Sequence, residues 1–62
     1  MKQPMSILDR IWKLAQAQGI VTIQADCTAD EALRKMLDRA HINQQSVSQI
    51  ADAVVAHQIW FR

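Results

Sequence analysis

The chain is poor in residues that interrupt a helix. Its 62 residues include one glycine, one proline and no tyrosine, and aromatic residues make up only 5%. This excludes a collagenous or low-complexity chain, and it excludes an all-β fold, which needs frequent Gly, Pro and Asn turns. A single cysteine, Cys27, excludes an internal disulfide. Small domains in oxidising compartments generally need several, so the reading is cytoplasmic. No segment approaches the roughly 20 apolar residues that span a bilayer, and the N-terminus lacks the apolar core of a signal peptide, so no membrane partner is expected.

Charge of one sign is also lacking. Seven Lys and Arg face six Asp and Glu, a net charge of +1. A basic surface must therefore be assembled by folding, if it exists. Chemistry-bearing clusters are missing too. His41 and His57 are far apart in sequence, Cys27 has no partner at metal-ligand spacing, and Gly19 alone cannot build a phosphate-binding loop. A chain of this length rarely walls off a deep cleft. The expectation is a non-enzyme with no cofactor, no metal and no small-molecule substrate.

What is present is apolar periodicity. Half the residues are apolar, and they recur at helical spacing in three segments. Ser6 opens the first, with Pro4 just outside. Ile7, Leu8, Ile11, Trp12, Leu14 and Ala15 lie on one broad stripe, which Ala17, Ile20, Val21 and Ile23 then widen. Thr28-Ala29-Asp30-Glu31 is a capping box that opens the second, where Ala32, Leu33, Met36, Leu37 and Ala40 form one face. Ser46-Val47-Ser48-Gln49 is another capping box, followed by Val47, Ile50, Ala51, Val54 and Val55. The short links at Gln24–Cys27 and His41–Gln45 favour adjacent packed helices. The reading is an all-α three-helix bundle over residues 1–62, a single domain, with helices at about 6–23, 29–41 and 47–59. The tail Ile59-Trp60-Phe61-Arg62 is apolar enough to fold back on the bundle. Met36 is expected in the core, His41 at the end of the second helix and Cys27 at a helix boundary.

The order of these elements resembles the ANTAR domain, the RNA-binding output domain of bacterial transcription antitermination regulators. The likeness runs from Ala15 to Val55. It rests on Ala17-Gln18-Gly19-Ile20-Val21, on Thr28-Ala29-Asp30-Glu31-Ala32-Leu33 with Ala40 as a later small residue, and on Val47-Ser48-Gln49-Ile50-Ala51-Asp52-Ala53-Val54-Val55. Gly19, Ala32 and Ala40 read as determinants of close helix approach, since a helical glycine costs about 1 kcal/mol relative to alanine. Three positions depart from the family pattern: Gln18 stands where Lys is common, Met36-Leu37 where Leu-Arg is frequent, and Gln44, Gln45 and Ser46 where Asn and two basic residues are favoured.

The resemblance implies binding to hairpin loops in an mRNA leader, which prevents a terminator hairpin from forming. The candidate RNA contacts are Lys13, Arg34, Lys35 and Arg39 for phosphates, with Gln18, Asn43, Gln44 and Gln45 as amide donors to unpaired bases. These charges have a plainer reading as well, as a solvated face with Glu31–Lys35 and Arg34–Asp38 pairs. The alternative function is a dimerisation or protein-interaction module that has lost RNA binding. Its seam would be Ile7, Leu8, Ile11, Leu14 and Ala15 in a homodimer; Trp12 and Trp60 read either as part of such a contact or, the more common case, as packing on each other inside one chain. A helix-turn-helix DNA reader is disfavoured, because the outer face of the third helix offers Gln49, Asp52, Ala53 and Ala56, without Arg or Lys.

Overall fold

A computed structural model of the chain describes residues 7–62, and these form three helices without a strand. Helix α1 spans Ile7–Ala25, α2 spans Ala29–Asn43 and α3 spans Val47–Val55. The start signal read at Ser6 lies outside the described residues. Both other helices pack on α1, α3 the more extensively. The all-α three-helix bundle is therefore the fold.

Both capping boxes form as read. Thr28 Oγ1 accepts from the Glu31 amide at 3.1 Å, and Glu31 Oε1 accepts from the Thr28 amide at 2.9 Å. Ser46 Oγ accepts from the Gln49 amide at 3.1 Å, and Gln49 Oε1 accepts from the Ser46 amide at 2.8 Å. These reciprocal bonds satisfy donors that the first helical turn leaves without partners.

The helix ends differ from the expectation, and one backbone device explains all three. Asp26, Gln44 and His57 adopt left-handed conformations with φ of 52°, 55° and 59°. The amide of the next residue then reaches back across the last turn: Cys27 to Thr22 O, Gln45 to Ala40 O and Gln58 to Ala53 O, at 2.8 to 3.1 Å. This is the Schellman closure, here made without glycine. It lets α1 and α2 each run two residues past the expected ends. It also stops α3 at Val55, so the expected helix to residue 59 is corrected. The early stop frees Gln58–Arg62 to run back over the bundle.

The core contains Ala17 and Val21 from α1, Ala32, Met36 and Ala40 from α2, Ile50, Ala51 and Val54 from α3, and Phe61 from the tail. Each helical set repeats at three or four residues, as one face of a helix must. Met36 is buried as expected, and Cys27 sits half-buried after α1. Ala32 and Ala40 are at the helix contacts, as read. Gly19 is not. It is exposed, and a Cβ placed on it meets no atom within 4 Å. Close approach within the chain is therefore not the reason for this glycine.

Gly19→Ala should stabilise the isolated chain by about 1 kcal/mol, measured by denaturant unfolding at a protein concentration where it is monomeric. A second expectation concerns pH. The backbone and side-chain bonds to Thr28, aided by Lys35 and Arg34, hold the Glu31 carboxyl below its ordinary range. A lowered folded value stabilises the protein above the ordinary glutamate range, and that contribution is lost as pH falls through the lowered value. Stability measured down an acid series should fall through this window, and Glu31→Gln should remove that part of the slope.

Candidate functional site

The candidate RNA residues fall on separate surfaces. Lys13 lies on α1 against α3, where its Nζ is 3.1 Å from Asp52 Oδ1. With Arg10, Ser46, Ser48 and Ala51 these two residues line a recess of about 440 Å³. One cation of that recess is thus already matched by a carboxylate. Gln18 is elsewhere, donating from Nε2 to Ala29 O at 2.7 Å. This side chain ties α1 to the first turn of α2, so it is a structural bridge.

The remaining six candidates belong to α2 and the turn after it. Lys35 and Arg39, four residues apart, lie on one side of the helix. The tail meets them there. Lys35 Nζ donates to the main-chain oxygen of Arg62 at 3.4 Å. The Arg39 guanidinium sits 4.5 Å from the centre of the Phe61 ring, a cation–π contact. Across the tail, the Phe61 amide donates to Gln24 Oε1 of α1 at 3.0 Å. Phe61 is therefore clamped between α1 and α2. Lys35, Asp38, Arg39, Ile42, Phe61 and Arg62 line a second recess of about 220 Å³.

Arg34 stands one residue round from Lys35 on the exposed side of α2. Neither Glu31–Lys35 nor Arg34–Asp38 closes to ion-pair distance. Glu31 is held by its cap and Lys35 by the tail, so Lys35 acts on Glu31 through its field rather than in a closed ion pair. Asn43, Gln44 and Gln45 form the exposed α2–α3 turn. Its backbone is closed by the bonds from Gln44 and Gln45 to His41 and Ala40. Among the described residues, the three amide side chains have no hydrogen-bond partner. His41 is in the last turn of α2, as read.

The seam residues divide. Ile7, Leu8, Ile11 and Ala15 are exposed, but Leu14 packs against the chain's own core. Trp12 is 68% exposed and Trp60 is 63% exposed. The expected packing of the two indoles on each other is corrected: each faces solvent, and Phe61 takes the core position instead. The tail folds back on the bundle as read, but sequence reasoning did not single out Gln24, Phe61 or Arg62 as the residues that fix it there. No local signal marks them: Ile59, Trp60 and Phe61 are a continuous apolar run, and which of them enters the core is decided by the bundle.

Comparison with protein-family models, with curated proteins and with solved structures found no match to this chain. Among the described residues, no group of His, Cys, Asp and Glu is placed to hold a metal ion. No helix among the described residues is long and apolar enough to cross a membrane.

The two polar contacts should differ sharply in weight. Lys13→Met should change stability by less than about 1 kcal/mol, because the ion pair is partly exposed. Phe61→Ala should cost about 3–5 kcal/mol, enough to unfold much of so small a domain; paired urea melts of the two variants would show it.

Proposed function

We propose that this chain is an RNA-binding module of the ANTAR type. It works without cofactor in the bacterial cytoplasm, engaging hairpin loops in nascent mRNA so that a terminator hairpin does not form. The apolar positions that carry the resemblance, Ala17, Val21, Ala32, Ala40, Ile50, Ala51 and Val54, meet in one core, which suits a shared fold. The observation that carries the RNA reading is the α2 face with its following turn. Arg34 projects from the helix, and the unpartnered amides of Asn43, Gln44 and Gln45 stand on a backbone that the helix closure holds in place. A guanidinium fixes phosphate, while amides can both donate to and accept from the edges of unpaired bases. Loop bases are unstacked and open to such contacts, whereas the deep major groove of duplex RNA is closed to side chains. Lys13 and Gln18 are left out of this interface, because each already has a partner within the bundle.

The test is titration of a library of RNA hairpins with randomised loops, at two salt concentrations. Binding should be saturable and restricted to particular loops, and it should weaken with salt. Arg34→Ala should lower affinity for all bound loops and reduce the salt slope by about one. Asn43→Ala and Gln45→Ala should instead alter which loops bind. Absence of saturable binding by the folded protein would overturn the proposal.

A second reading, self-association, is favoured by one specific observation. Leu8, Trp12, Ala15, Gly19 and Ile23 are all exposed and recur along α1 at steps of three or four residues. This is the spacing of a seam between two helices, and the bare surface at Gly19 would let a second α1 come close. Pairing is compatible with RNA binding, since it would present two copies of the α2 face. Sedimentation equilibrium should then show a dimer that Leu8→Asp dissociates.

A further inference from the structure

We propose that α1 pairs antiparallel with α1 of a second copy of this chain, about a two-fold axis between Ala15 and Gln16, so that each Trp12 seats over the partner's Gly19. The inference rests on the self-association reading above. It supplies what that reading leaves open: the direction, the register and the residue pair that sets them.

The outer face of α1 carries the argument. Leu8 is 77% exposed, Trp12 68% and Ile23 83%, and Ala15, Gln16 and Gly19 between them are exposed too. At about 100° per residue, this stripe lies opposite Ala17 and Val21, which face the bundle core. From Leu8 to Ile23 it runs roughly 22 Å along the helix. The charged groups of α1, Asp9, Arg10 and Lys13, all precede Leu14, and residues 14–25 carry no charge. With Ile7 and Ile11 on one flank, α1 exposes five large apolar side chains. A monomer rarely leaves so large a contiguous apolar patch uncovered. The stripe and its flank approach the roughly 800 Å² per partner that a stable interface covers.

Size decides the direction. A two-fold contact is self-complementary, so if residue i meets j, then j meets i. An axis between Ala15 and Gln16 sets Leu8 against the partner's Ile23. It sets Trp12, the largest side chain of the stripe, against the partner's Gly19, which has none. Glycine inside a helix costs about 1 kcal/mol relative to alanine, and no atom of its own chain lies within 4 Å of a Cβ placed at Gly19. A socket for an indole gives that bare backbone a use. A parallel, in-register pair would instead press Trp12 on the partner's Trp12 and leave Gly19 facing the partner's Gly19 across unfilled space, an overpacked level and an empty one. It would also bring the two charged ends of α1 together. The antiparallel pair lays each charged end along the partner's uncharged half and sets opposite ends of the two helix dipoles side by side.

The test is sedimentation equilibrium of the full chain and its variants, with helix content checked by circular dichroism. Trp12→Ala and Gly19→Trp should each weaken the dimer about tenfold or more, equivalent to 1.4 kcal/mol. The double variant Trp12→Ala with Gly19→Trp should recover the parent affinity within about threefold, because indole and socket have exchanged places across the two-fold axis. In a Cys27→Ser background, mild oxidation should cross-link Leu8→Cys chains to Ile23→Cys chains in a mixture, and neither variant to itself. If a dimer that Leu8→Asp dissociates is indifferent to Trp12→Ala and Gly19→Trp, is not recovered in the double variant, or cross-links through Leu8→Cys alone, the antiparallel pairing is overturned and the self-association reading stands. If the folded chain is monomeric at every concentration, both fall. If it dimerises but Leu8→Asp has no effect, the contact lies on another face and both fall as well.

Discussion

Alanine sets how close these helices can come, and the rest of the structure depends on that approach. Among the described residues, four of the nine buried in the core are alanines: Ala17, Ala32, Ala40 and Ala51. Small side chains at the contacts bring helix axes together. They also bury little apolar area per residue, which leaves a short chain with a thin core. The larger buried groups, Met36, Ile50, Val21 and Val54, fill the space that the alanines leave. The bundle is then closed by a piece that is not helical. Phe61 adds the aromatic volume, and the tail that carries it spans α1 and α2.

That closure decides the fate of the polar groups. The tail draws Lys35 to the Arg62 main chain and Arg39 to the Phe61 ring. On the far side, α3 draws Lys13 to Asp52. The capping box holds Glu31, and Lys35 acts on it only through its field. A chain with nearly balanced charge thus sorts its cations unevenly. Among the described residues, Arg34, Lys35, Arg39 and Arg62 have no ion-pair partner and lie on α2 and the tail, and Arg10 stands apart on α1; Arg34 and the amide turn form the surface the RNA reading uses.

Much of the fold was legible in the residues. The capping boxes at Thr28 and Ser46 were legible because their bonds span only three residues. The core faces of α2 and α3 were legible because burial follows the helical period. The end of α3 was not. No glycine marks it, and a His in the left-handed region has no strong sequence signature. Stopping there depends on the core accepting Phe61, which is a long-range fact. The candidate site was legible only by residue type. Gln18 and Lys13 looked like surface contacts, but a partner distant in sequence engages each of them.

The sequence by itself determined three amphipathic helices, the starts of the second and third, and the buried alanines Ala32 and Ala40. It determined the absence of a disulfide and of any long apolar span. Tertiary structure alone decided that Leu14 turns inward while Leu8 and Trp12 stay out, that Phe61 rather than Trp60 enters the core, and which cations remain unmatched. The reason is the range of the interactions. Helix starts and faces arise from neighbours within one or two turns. A side chain's final partner depends on which distant surface packs against it, α3 for Lys13, α2 for Gln18 and the returning tail for Lys35 and Arg39.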